Sequence, residues 1–137
     1  MTYSVSAALQ KAVYRRLADD VALAAIAGSA IFDGVPPGEI PALYVSIGEE
    51  RVLDRSDYGE RGAIHDFEIA VVSDDAGFAD AKEAAGAVSD ALLSAPLLLG
   101  RGRCDGLWFR QAQARRMRRT GTRRIDLRFR ARVFDET

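Results

Sequence analysis

The chain has 137 residues, 48% hydrophobic and 28% charged, and a net charge of −1. This is enough for one domain around one core. The balance excludes a disordered or fibrous chain, the lone cysteine excludes an internal disulfide, and no apolar run approaches the ~18 residues of a membrane span.

The near-zero net charge hides a polarity. Residues 1–100 contain 7 Lys/Arg against 16 Asp/Glu, whereas residues 101–137 contain 12 Arg against 4 acids. Such asymmetry suits either a polyanion site or two parts that neutralise each other, within one subunit or between subunits. The start, Met1-Thr2-Tyr3-Ser4, has neither the basic opening nor the apolar stretch of a secretory signal.

Val5, Ala8, Leu9, Ala12, Val13 and Leu17 form a helical stripe with Ser4 as its expected cap, and Lys11, Arg15 and Arg16 lie opposite. Asp19 or Asp20 restarts a short helix through Val21, Leu23, Ala24 and Ile26, ended by Gly28. Ile31-Phe32 reads as a short strand, and Asp33 to Pro41, with its prolines and glycines, as a loop. From Ala42 to Glu49 the apolar Leu43, Val45 and Ile47 alternate with Tyr44, Ser46 and Gly48, the period of a strand. Glu50 to Gly62 is polar and charged and reads as a long loop between strands: either a solvated hairpin tip or a functional loop.

Ile64 to Pro96 organises the chain. Phe67, Ile69 and Val71 mark a half-buried strand, Ser73 to Gly77 a turn with Asp75 as the expected N-cap, and Phe78, Ala81, Ala85, Val88 and Leu92 one face of a helix. Asp80, Lys82, Glu83, Ser89 and Asp90 take the other face. Pro96, Gly100, Gly102 and Gly106 punctuate the next connection. Leu107 to Met117 and Arg123 to Phe134 then form a hairpin about Thr120-Gly121. In its last strand Ile125, Leu127, Phe129, Ala131 and Val133 face one way and Arg124, Asp126, Arg128, Arg130 and Arg132 the other. The expected fold is a single α+β domain over residues 1–137: a mainly antiparallel sheet of four to five strands, packed by an N-terminal helix and a central amphipathic helix.

Little of this sequence carries catalytic chemistry. His65, the only histidine, opens a strand between Ile64 and Asp66 and reads as a surface histidine rather than a general base. Cys104 sits among arginines that would lower its pKa, yet with no second Cys or nearby His it reads as structural. One His and one Cys cannot build a conventional zinc site within one chain. Asp74-Asp75 lacks the spaced ligands of a calcium loop, and no phosphate-binding glycine motif is present. No catalytic, cofactor or metal residue is assigned. The arginine row of the last strand is the strongest signal, because guanidinium pairs bidentately with phosphate or carboxylate. It fits complementary acids such as Asp66 and Glu68, or a neighbouring subunit. Alternatively it fits a nucleic-acid-binding domain, with Trp108 and Phe109 on the adjoining strand.

Two segments taken together carry a resemblance. One runs from Ile31-Phe32-Asp33-Gly34-Val35-Pro36-Pro37 into Pro41-Ala42-Leu43-Tyr44-Val45-Ser46-Ile47-Gly48-Glu49; the other is the strand–turn–helix from Phe67 to Leu93 behind the charged loop. This order resembles the small tail-completion or tail-terminator proteins of long-tailed phages, and in its Ala- and Arg-rich usage the gene transfer agent version. The resemblance implies a structural protein without enzymatic activity or cofactor. It implies a self-associated ring, typically hexameric, that ends the tail tube at the head side, meets the tail tube protein and the head-completion or connector protein, and lets DNA pass through its lumen without sequence-specific binding or membrane contact. Assembly in the cytoplasm and residence in the particle follow. By analogy Arg51, Asp54, Arg55, Asp57, Tyr58, Glu60 and Arg61 would dock on the tube, and Arg124, Arg128, Arg130 and Arg132 would serve subunit or head-side contacts.

Overall fold

A strand that buries alternate side chains needs a covering layer, and here that layer is helical. The computed structural model describes residues 3–56 and 58–135. In chain order the elements are α1 (Ser6–Ala18), α2 (Val21–Ala27), β1 (Ile31–Asp33), β2 (Leu43–Asp54), β3 (Gly62–Ser73), α3 (Ala79–Leu93), β4 (Arg103–Arg116) and β5 (Arg123–Phe134). The five strands lie in the order β1-β2-β3-β5-β4. β1 pairs with β2 in parallel and every other pair is antiparallel. The fold is therefore α+β with a mostly antiparallel sheet, as the periodicities predict.

The core lies between the helices and one sheet face. Val45, Ile69, Val71, Leu127, Phe129 and Val133 meet Leu9, Val13, Leu17, Leu23, Val88 and Leu92 there, all fully or almost fully buried. Each such aliphatic or aromatic side chain gains roughly 1.5–3 kcal/mol by leaving water. On α3 the buried positions are mostly alanine (Ala81, Ala84, Ala85, Ala87 and Ala91), so the helix backbone approaches its neighbours closely. Across the sheet Phe67, Phe129 and Phe109 are register partners. Phe67 stacks on Phe129 with centroids 5.7 Å apart, and Phe109 meets Phe129 edge-on at 5.9 Å.

Helix ends differ in part from expectation. Asp20 caps α2, accepting the Leu23 N–H at 2.9 Å, and Gly28 closes it at φ 59°. Ser4 and Asp75 are not caps: the N-cap positions of α1 and α3 are Val5 and Phe78, neither with a side-chain cap bond. Asp75 instead belongs to the β3–α3 turn, its N–H donating to Ser73 Oγ at 3.2 Å. The end of α3 and the segment after it are held from outside, through one carbonyl of the last turn and two beyond it. The Arg16 guanidinium on α1 donates to the carbonyls of Ala91, Ala95 and Pro96 at 2.9–3.1 Å. A cation at a helix C-terminus also complements the helix dipole.

Two strands extend beyond the expected limits. β2 continues through Glu50–Asp54, so the connection to β3 is residues 55–61 and not the whole of 50–62. The alternation broke at a β-bulge. Ile47 pairs with Ile69 and Glu50 with Phe67, leaving Gly48 and Glu49 opposite Glu68 alone. The extra residue returns Glu50 and Val52 to the helix side and sends Arg51 outward beside Asp66. β4 begins at Arg103, immediately after Gly102 at φ 72°, rather than at Leu107.

Gly102 is closed to side chains twice over, by its positive φ and because a Cβ would collide with the Phe134 carbonyl oxygen. Gly102→Ala should lower unfolding free energy by about 2 kcal/mol or more in denaturant titration. Arg16→Ala should cost about 1–3 kcal/mol by uncapping α3, and Arg16→Lys, which cannot span three carbonyls, should recover only part of it.

Candidate functional site

The sheet face turned away from the helices carries the arginine row. Register sets its chemistry: Asp66 lies opposite Arg130 and Glu68 opposite Arg128. Arg130 grips Asp66 through two bonds, Nε at 2.8 Å and Nη2 at 3.1 Å, and Arg51 adds a 3.8 Å contact from β2. Arg124 donates to Asp126 at 2.8 Å and stands 3.9 Å from Glu68, which Arg128 approaches to 3.6 Å. Arg115 on β4 reaches Asp126 at 3.1 Å. Arg132 lies over the Phe134 ring, 5.1 Å from its centroid. The row is thus an interleaved ribbon of both signs, bordering an open groove of about 360 Å³ between Arg51, Asp66, Glu68, Arg110, Arg128 and Arg130.

The acids feel this ribbon unequally. The hydrogen bond from Arg130 holds the Asp66 carboxyl below the usual range despite partial burial. Glu68 goes the other way: burial, then the nearby Asp126, push its carboxyl up against the pull of Arg128 and Arg124. Trp108 sits on this face opposite Arg130, half-exposed, its indole over Gly106 where any Cβ would collide with it.

The second group of candidate residues lies at one end of the sheet. Arg51 and Asp54 are on β2, not in a loop. Asp54 Oδ1 accepts from the Ser56 hydroxyl at 2.7 Å and the Ser56 N–H at 3.2 Å, shaping the turn. Arg55 is tied by its N–H to the Gly62 carbonyl at 2.9 Å. Tyr58 is fully exposed. Glu60 pairs with Arg103 at 3.0 Å, and the Arg61 carbonyl accepts the Asp135 N–H at 2.9 Å. Asp57 lies outside the described residues. Beside the loop, Arg101 clasps the buried Asp135 carboxylate with two bonds of 2.9 Å, which lowers its pKa.

His65 is not on the surface. Its ring is fully buried, Nδ1 lies 3.0 Å from Glu50 Oε2, and Nε2 has no hydrogen-bond partner among the described residues. The correction follows from parity: β3 extends back to Gly62, which places position 65 on the helix side with Phe67. Glu50 is the residue that sequence reasoning missed. Burial alone would raise its pKa, but hydrogen bonds from His65, Tyr3 and Ser6, the last two at 2.7 and 2.8 Å, bring it below the ordinary value. The only signal was a carboxylate directly after an alternating apolar run. Cys104 is likewise not activated by its arginines: burial pushes its thiol up, and its Sγ is bonded to the Gly106 carbonyl at 3.3 Å. Among the described residues no group of three or more His, Cys, Asp or Glu side chains could hold a metal ion, and no helix is long and apolar enough to cross a membrane.

The family described as "Tail completion protein gp17" matches residues 11–134. A solved chain from "Virion of native gene transfer agent (GTA) particle" superposes with a TM-score of 0.91 at 56% identity, covering 97% of this chain and 99% of that one. No curated protein matches.

Glu50 has a lower pKa folded than unfolded, so its contribution is present above its ordinary value of 4.5 and is lost as pH falls through the folded value. Asp66 and Asp135, also lowered, act in the same direction, while Glu68 and the exposed Asp80, both raised, act against it. Stability measured from pH 7 to pH 2 should therefore fall on the acid side, and Glu50→Gln should flatten that fall while lowering stability at pH 7.

Proposed function

The chain belongs to the tail completion protein gp17 family, and from that premise we propose that it closes into a ring, hexameric in the simplest reading, which ends the tail tube and joins it to the head. Its role as a structural component of a phage-like particle rests on the likeness to a gene transfer agent virion chain over nearly the whole of both chains. The ring, its partners and its surfaces are the finer reading. Supporting it is a domain whose β5 arginines are paired with carboxylates on the open sheet face, while one long sheet edge has no partner strand among the described residues. Heterologous head-to-tail contacts close into rings when the rotation permits.

In this reading the 55–61 loop, with Arg55, Tyr58, Glu60 and Arg61, meets the tail tube protein; Arg51 and Asp54 brace it from β2, and Asp57 completes the segment. Tyr58 supports the assignment, being a fully exposed aromatic at the tip of an otherwise tied loop. Arg124, Arg128, Arg130 and Arg132 form a flat ionic surface toward a neighbouring subunit or the head-completion protein. Nucleic-acid binding by that row is the weaker reading, since Arg124, Arg128 and Arg130 already face carboxylates. DNA then passes through the lumen without being held by sequence.

Native mass spectrometry of material released from purified particles should show a multiple of the 14.9 kDa chain. Particles made without the chain should yield heads and tails that fail to join; joined particles in normal number would sink the proposal. Tyr58→Ala should leave unfolding free energy within about 0.5 kcal/mol, as exposed substitutions do, yet lower the fraction of joined particles seen by electron microscopy.

A further inference from the structure

Charge on this chain is spent unevenly. The β5 arginines are engaged, but no carboxylate among the described residues lies within 4.0 Å of Arg116, Arg118 or Arg119, at the end of β4 and in the turn to β5. These three are exposed. They terminate a strand with two unusual properties: every residue of β4 from Trp108 to Arg116 is exposed, and its outer edge pairs with no strand among the described residues. A long bare edge of this kind is a standing invitation to association unless something covers it.

The complementary surface lies at the same end of the sheet, toward its β2 side. Asp74, Asp75, Asp80 and Glu83 rim a hollow of about 340 Å³ floored by Ala25, Ile26, Ala42 and Leu43. No cation stands within 4.0 Å of these acids among the described residues. The nearest guanidinium by register, Arg123, is occupied by the carbonyls of Ala76 and Gly121. Asp80 shows the cost: the neighbouring Asp75 raises its pKa. Hollow and arm share that end, where Leu43, Ser73, Arg123 and Arg116 form one row across four strands, the hollow toward β2 and α2 and the arm on the β4 edge.

We infer that the β4–β5 arm of one copy of this chain seats in the acid-rimmed hollow of the next, placing Arg116, Arg118 and Arg119 against Asp74, Asp75, Asp80 and Glu83. The inference rests on the ring reading and names the contact that closes it. A second copy is favoured over nucleic acid because it satisfies both surpluses at once. A polyanion would satisfy the arm and leave four carboxylates unmatched. The contact is heterologous, so repeating it carries each arm onward to a fresh hollow until the circle closes.

The test uses two charge reversals on exposed residues: Arg116→Glu/Arg118→Glu/Arg119→Glu, and Asp75→Lys/Asp80→Lys/Glu83→Lys. Each is expressed as the sole copy of the chain, then both together, and copies per purified particle are counted by quantitative mass spectrometry. Unfolding curves confirm that both variants fold. Each reversal alone should cut incorporation by about tenfold or more, because like charges are juxtaposed. Together they should recover to near the wild-type level, since alternating copies restore opposite charge at every contact. Normal incorporation of either single variant, or no recovery on mixing, overturns the inference. So does an arm reversal that leaves self-association intact while abolishing the salt-dependent retention of a DNA duplex. If wild-type particles release only monomer by native mass spectrometry, the ring reading itself falls, an outcome distinct from a ring that tolerates the reversals.

Discussion

The register between β3 and β5 carries most of this structure. Twelve consecutive pairs, from Gly62–Phe134 to Ser73–Arg123, run without a slip. Because side chains alternate, a shift by one residue would turn Phe129 and Leu127 to water and Arg128 and Arg130 into the core. The apolar face therefore fixes the pairing, and the ionic face follows it. Ion pairs as exposed as these contribute little each, at most about 1 kcal/mol. Their consequence is selective rather than energetic: they absorb the β5 guanidiniums and leave the arm as the surface with charge to offer.

A second constraint sits where the bulge in β2 returns Glu50 to the helix side. A carboxylate there must be satisfied, and His65, Ser6 and Tyr3 converge on it from β3 and from the start of α1. The N-terminal segment is thereby tied to the middle of the sheet by polar bonds as well as by Val5 and Leu9. Removing one partner would strand a half-buried charge, the costlier way to break such a cluster.

Much of this was legible in the sequence. The stripes of α1 and α3, the alternation of β3 and β5, and the pairing of the arginine row with Asp66 and Glu68 follow from period and charge alone. What escaped was whatever a bulge or a distant partner decides. Glu50–Asp54 looks like loop because its composition is polar, yet it pairs residue for residue with Ala63–Phe67. His65 looks exposed because it stands near a strand end and is polar, yet it shares the parity of Phe67, Ile69 and Val71 and so faces the helices. Caps at Ser4 and Asp75 were expected from residue type, but the N-cap positions fall on Val5 and Phe78, and the other end of α3 is met by Arg16, far away in sequence. The family was legible from the order of two segments. Which arginines remain uncommitted needed the three-dimensional pairing.

The lone sulfur has a consequence for the life of the particle. Cys104 is shielded and its ionisation suppressed, so little thiolate is present at neutral pH to attack peroxide or a foreign disulfide. With one thiol per chain, and that one held this way, sulfur offers two copies no ready covalent link.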